Sequence, residues 1–207
     1  MSELFSIQLQ NRQQQGRDGV WLDLPTTTEQ VQAALRQIGI SSDNPQGLFI
    51  SGYFAEEEKR FAIPYNMVLA SNVDELNFLA SRLETLSTGE RAELNAALQA
   101  PQSELFSIGR ITDFPENVDY YVHLPDVHGP AQLGDYYLNR SGMVDMPEEW
   151  KGGIDTAQFG RYVAQQEQGA FTQYGYLVKS GDEWQKVHEG QPVPEAVSYT
   201  HLRAHET

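Results

Sequence analysis

The order of apolar and polar positions divides the chain into stretches of different period. Near the start, Leu4, Ser6 and Gln8 alternate with Phe5, Ile7 and Leu9, a period of two that predicts a strand. The polar stretch Asn11 to Gly19 reads as a loop, and Gly19 to Pro25 as a second strand ended by proline. Thr26, Thr27 or Thr28 then caps a helix with Glu29 in its first turn; Val31, Leu35 and Ile38 fall on one face before Gly39 stops it. Leu48 to Tyr53 gives a third strand, and Phe61 to Ile63 before Pro64 a short returning one. Residues 1–70 therefore read as a small sheet with one helix.

The period then changes to that of a helix. Asn72 followed by Glu75 forms a capping-box pattern, and Leu76, Leu79, Leu83 and Leu86 make an apolar stripe. Ser87 with Glu90 repeats the signature, and Ala92, Leu94, Ala97 and Leu98 carry it to Pro101, which predicts a helical hairpin over 71–101. Residues 102–196 mix types. Strands are expected over Val118 to Leu124 and Tyr174 to Lys179, with Trp184 to Val187 as a second hairpin arm across Ser180-Gly181-Asp182. Helices are expected over Gln132 to Asn139 and Asp155 to Gln168, and a turn or helix from Pro147. Ser103 to Ile108 repeats Ser2 to Ile7 residue for residue, but the similarity ends there and defines no structural repeat. Residues 197–207 resemble the translated read-through of a sequencing-library adapter and are set aside from fold and function. The fold class expected is α+β, in two to three small modules.

Composition sharpens the picture. Apolar residues make up 40% and aromatics 11% of 207 residues, enough for a packed core. There is no cysteine, which excludes disulfides and thiolate zinc sites and fits a cytoplasmic compartment; no apolar run reaches the roughly 18 residues of a spanning helix. The net charge is −15 and unevenly spread: residues 1–70 hold eight acids and five bases, residues 71–196 twenty and eight. A field of this sign repels nucleic acid and anionic membrane and attracts basic surfaces.

Between Arg110 and Arg140 lie Asp113, Glu116, Asp119, Asp126 and Asp135 with no lysine or arginine among them; Asp145, Glu148, Glu149 and Asp155 follow against Lys151. Phe114, Tyr120, Tyr121, Tyr136, Tyr137 and Trp150 are interleaved, so the stretch is expected to anchor by its aromatics and turn its carboxylates to water. Sites for chemistry are weak by contrast. His123, Asp126 and His128 have no usual ligand spacing, Pro125 interrupts them, and adjacent Glu148 and Glu149 diverge by about 100° on a helix. No phosphate-cradling glycine loop, nucleophile elbow or zincin motif occurs, so neither catalysis nor a cofactor is expected. B-DNA presents one negative charge per about 1.7 Å of axis, and proteins grip it by releasing its counterions. Ordered carboxylates at similar spacing offer such proteins the same target.

Several stretches together resemble the ArdA-type antirestriction proteins. These are Gly19 to Pro25 with the helix after it, Asp74 to Ala80 with Leu83 and Leu86, Leu133-Gly-Asp-Tyr-Tyr137, Ile154 to Arg161, and Glu167 to Gly175. The resemblance covers about residues 4–178. It implies small modules in an elongated line, a homodimer formed through the C-terminal module, and a non-catalytic DNA mimic, carried by mobile elements, that occupies the DNA-binding groove of type I restriction-modification enzymes. On that reading Asp113, Glu116, Asp119, Asp126, Asp135, Asp145, Glu148, Glu149 and Asp155 supply the main phosphate-like track. Glu56, Glu57, Glu58, Asp74, Glu75, Glu84, Glu90 and Glu93 extend it. The rival readings are an acidic adaptor for another basic protein and a hydrolase using His123 or Asp126. Arg12, Arg17, Lys59 and Arg60 dilute the charge in the first third, and 180–196 has no counterpart in the resemblance.

Overall fold

The computed structural model describes residues 3–14, 18–41, 45–57 and 60–194. In chain order the strands are β1 (Phe5–Asn11), β2 (Val20–Leu24), β3 (Leu48–Phe54), β4 (Tyr121–Leu124), β5 (Ala170–Thr172) and β6 (Gly175–Lys179). The helices are α1 (Thr28–Gln37), α2 (Tyr65–Leu69), α3 (Val73–Leu83), α4 (Thr88–Gln99), α5 (Ile108–Thr112), α6 (Pro130–Asp135), α7 (Glu148–Lys151) and α8 (Thr156–Glu167). The class is α+β with two small antiparallel sheets. Packing gathers the described residues into two units: those within 3–87, 105–116 and 186–194 form the first, and 88–104 and 117–185 the second.

In the first unit β1 lies between β2 and β3, antiparallel to both, with Ile7 opposite Leu22 and Tyr53. The alternation read from the sequence is the burial pattern of β1: Phe5, Ile7 and Leu9 are buried while Ser6, Gln8 and Gln10 are partly exposed. Thr27 caps α1, and Gln30 closes the capping box in return. Asn72 and Glu75 form the second box at the head of α3. That helix buries Leu76, Leu79 and Leu83 and packs against β2 and α5. The stretch Phe61 to Ile63 buries both apolar ends but is not a strand; Pro64 follows it and opens α2. The helical stretch 71–101 is divided, with α3 in the first unit and α4 in the second.

The second unit has β6 between β4 and β5, and α4 packs on this sheet. The predicted strand over Val118 to Leu124 begins as a 3-10 turn, Val118–Tyr120, before β4. The hairpin joins β5 to β6, with Thr172 opposite Gly175, whereas Trp184 to Val187 forms no strand. The polarity of Asp182 and Glu183 leaves that segment no apolar face with which to add to a sheet. Val127, Leu133 and Tyr176 are the buried centre, with Val163, Ala164 and Phe171 packed around them. Helix α6 runs into a π-helical turn, Tyr136–Arg140, and crosses α8 at close range. A Cβ on Gly134 would stand 1.9 Å from the Thr156 carbonyl oxygen, and one on Gly160 1.8 Å from that of Pro130. Only glycine permits that approach.

Candidate functional site

The carboxylates fall into three physical groups. Four acids of the second unit, Asp119, Asp126, Asp145 and Glu149, are exposed, and no described cation pairs with them. Asp119 lies within the 3-10 turn that leads into β4, and Asp126 sits on the turn after that strand, where Pro125 and the buried Val127 fix the backbone. Asp145 precedes α7 and Glu149 lies within it. Asp182 and Glu183 are exposed acids of the same unit. Charge alone marks them, and the resemblance gave no reason to include them. In the first unit Glu56 and Glu57 are exposed, while Glu58 lies outside the described residues, as do Arg17 and Lys59.

A second group is exposed or half-exposed but engaged. Asp135 meets Arg140 at 3.2 Å and accepts a hydrogen bond from Asn139 at 2.8 Å; Glu148 meets Lys151 at 2.9 Å. Asp155 caps α8, accepting from the amides of Ala157 and Gln158, and the Gln158 bond helps hold its carboxyl below the ordinary range. Glu75 is occupied by its capping box, and Glu84 and Glu90 are half-buried. Glu116 forms an ion pair with Arg82.

The third group is withdrawn from water, which corrects the expected exposure of three acids. Asp113 is fully buried and accepts backbone hydrogen bonds from Val187, His188 and Glu189 at 3.2, 2.6 and 3.1 Å. Asp74, in the first turn of α3, is also buried. Glu93 is half-buried with one carboxyl oxygen inaccessible. Burial, with repulsion from Glu90 and Asp119, pushes its carboxyl up to about 8. At neutral pH Glu93 therefore holds its proton for most of the time and adds little to the field. The sequence shows Asp113 only as a letter in an acidic run and Asp74 and Glu93 only as acids of the preceding helices, and only the packing distinguishes them.

The aromatics divide similarly. Phe114 and Tyr121 are buried anchors as expected, but Trp150 is 66% exposed and anchors nothing. Tyr137 and Tyr176 both donate to Glu167; burial, with the Glu167 charge beside them, pushes both phenols up, and the shared acid ties the π turn and β6 to the end of α8. His123 donates from Nε2 to the Tyr174 carbonyl at 2.7 Å, a structural bond between β4 and the β5–β6 turn. Asp126 and His128 are exposed, and among the described residues no group of three or more His, Asp or Glu side chains is placed to hold a metal ion. No described helix is long and apolar enough to cross a membrane.

No curated protein matches the chain. The family model described as "Antirestriction protein (ArdA)" matches residues 15–178, which takes in β2, β3 and all but the last residue of the second sheet, with the glycine crossing and the four unpaired acids. The chain belongs to the ArdA family of antirestriction proteins.

Proposed function

We propose that this antirestriction protein acts by presenting its outward carboxylates in place of DNA phosphates. They would fill the DNA-binding groove of a type I restriction-modification enzyme without catalysis. The observation that carries the reading is the set Asp119, Asp126, Asp145 and Glu149, exposed and unneutralised on a folded unit. Paired acids would present dipoles to a partner, whereas unpaired ones present full charges. A groove lined with lysine and arginine gains from them the counterion release it gains from DNA. The carboxylates offer backbone charge and no base edges, which suits a target that grips the phosphate backbone of a long duplex strongly. Asp135, Glu148 and Asp155 contribute where their partners release them, and Glu56 and Glu57 extend the charge onto the first unit. The protein works as a homodimer joined through its C-terminal half, which doubles the charge offered to the groove.

The test is displacement of labelled duplex from a purified type I core enzyme, titrated with this protein at several salt concentrations. Displacement that weakens steeply as salt rises supports the reading. Absence of displacement at low salt overturns it and leaves an acidic adaptor for another basic protein.

A further inference from the structure

The first unit contains a segment that neither the family match nor the anionic surface accounts for. Residues 186–193 lie beyond the last family-matched residue, 178, and form neither helix nor strand, yet they are held by side chains of the 105–116 segment. Three consecutive amides, those of Val187, His188 and Glu189, converge on the buried Asp113 carboxylate. Arg110, itself buried, donates from Nε to Glu189 at 3.2 Å, and the His188 ring stands edge-on to Phe78 with centroids 4.9 Å apart. Gly109 faces the segment so closely that a Cβ there would lie 3.1 Å from the Glu189 Cα. On its free side the segment walls a groove of about 600 Å³ floored by Met67, Phe78 and Ile108.

We propose that residues 186–193 are a strap that opens and closes as a unit over the first unit, with the Asp113 carboxylate as its pin. The attachment has the character of a clasp. The segment has no ladder of its own, and three of its backbone donors are satisfied by one anion on α5's C-terminal side. Charge-assisted bonds of this kind are about twice as strong as neutral ones, and three on one carboxylate concentrate the hold at one point. A segment with few buried apolar side chains belongs to the low-stability end of a fold, so it releases before the helices beneath it. Removing the pin's charge loosens all three amides together, because they share it. Opening carries His188 off Phe78 and widens the groove over Met67 and Ile108.

Native-state hydrogen exchange on the full chain tests this. In the unsubstituted protein the amides of Val187, His188 and Glu189 should exchange with one shared protection, at least tenfold faster than those of Leu79 and Leu83 in α3. Low denaturant should change their rate little while accelerating α3. Asp113→Asn should speed the three amides by about tenfold or more. Gly109→Ala leaves the pin in place, suits a helix better than glycine, and wedges only against Glu189; it should speed the same three amides. If the three track α3 in rate and denaturant dependence, the strap is an integral part of the unit and the proposal fails. Unchanged rates in both variants would equally overturn it.

Discussion

The two units use the same acidic residue types in opposite ways. In the first, Asp113, Asp74 and Glu116 are buried or paired with cations and backbone donors, so their charge is consumed in holding the chain together. In the second, Asp119, Asp126, Asp145 and Glu149 stand on short turns and a one-turn helix with no described cation near enough to pair. What separates them is the local density of amide and guanidinium donors. A carboxylate that finds three amides becomes a framework element, and one on a tight turn stays in water. Net charge alone therefore overstates the working surface.

The sharpest test of the difference is to damage each side and read both stability and inhibition. The largest effect is expected from Gly160→Ala, which drives a methyl group into the Pro130 carbonyl. The second unit should lose about 3 kcal/mol or more in denaturant unfolding, and inhibition of restriction with it. Next, Asp113→Ala strands three amides, and the first unit should lose about 3 kcal/mol while the second keeps its near-ultraviolet dichroism. Neutralising Asp119, Asp126, Asp145 and Glu149 together to Asn and Gln should reverse that pattern. Duplex displacement from a type I core should weaken at least tenfold, with unfolding free energy within about 0.5 kcal/mol of the parent.

A smaller effect distinguishes Glu93 from its neighbours. Folded Glu93 keeps a proton up to about 8, whereas the ordinary value is 4.5, so the folded state binds more protons between those limits. Stability of the second unit should therefore fall as pH rises from about 4.5 to about 8 and level off above, and Glu93→Gln should flatten that slope in thermal melts. The smallest effect belongs to single surface charges. Asp126→Asn alone should change stability and displacement only slightly, because one exposed acid contributes about 0 to 1 kcal/mol.

How far the chain could be read from its letters depends on the length scale of the signal. Strands β1 and β2, a cap among Thr26 to Thr28, the box at Asn72, the stop at Gly39 and the helix from Asp155 are local patterns, and each forms where its residues predict. The hexapeptide Ser-Glu-Leu-Phe-Ser-Ile shows the limit. Its first copy runs into β1 and buries Phe5; its second leads into α5, with Ser107 as cap and Phe106 64% exposed beneath Arg110. Identical local preference yields a strand where two neighbours offer a ladder and a helix where Ser107 finds an amide to cap. The same holds for the carboxylates. A run of aspartates is visible in the sequence, but what buries Asp113 arrives more than seventy residues later at Val187, and what neutralises Glu93 is a combination of burial with Glu90 and Asp119.

The crossing of α6 and α8 sets a limit on how this protein can change. Gly134 and Gly160 face each other's helix with no side chain, and what a methyl group at either would strike is a main-chain oxygen. A crowded side chain can be relieved by trimming its neighbour, but no substitution trims a carbonyl. Replacement of either glycine thus has no second-site remedy within the pair, and the helix axes would have to part before any larger residue was accepted.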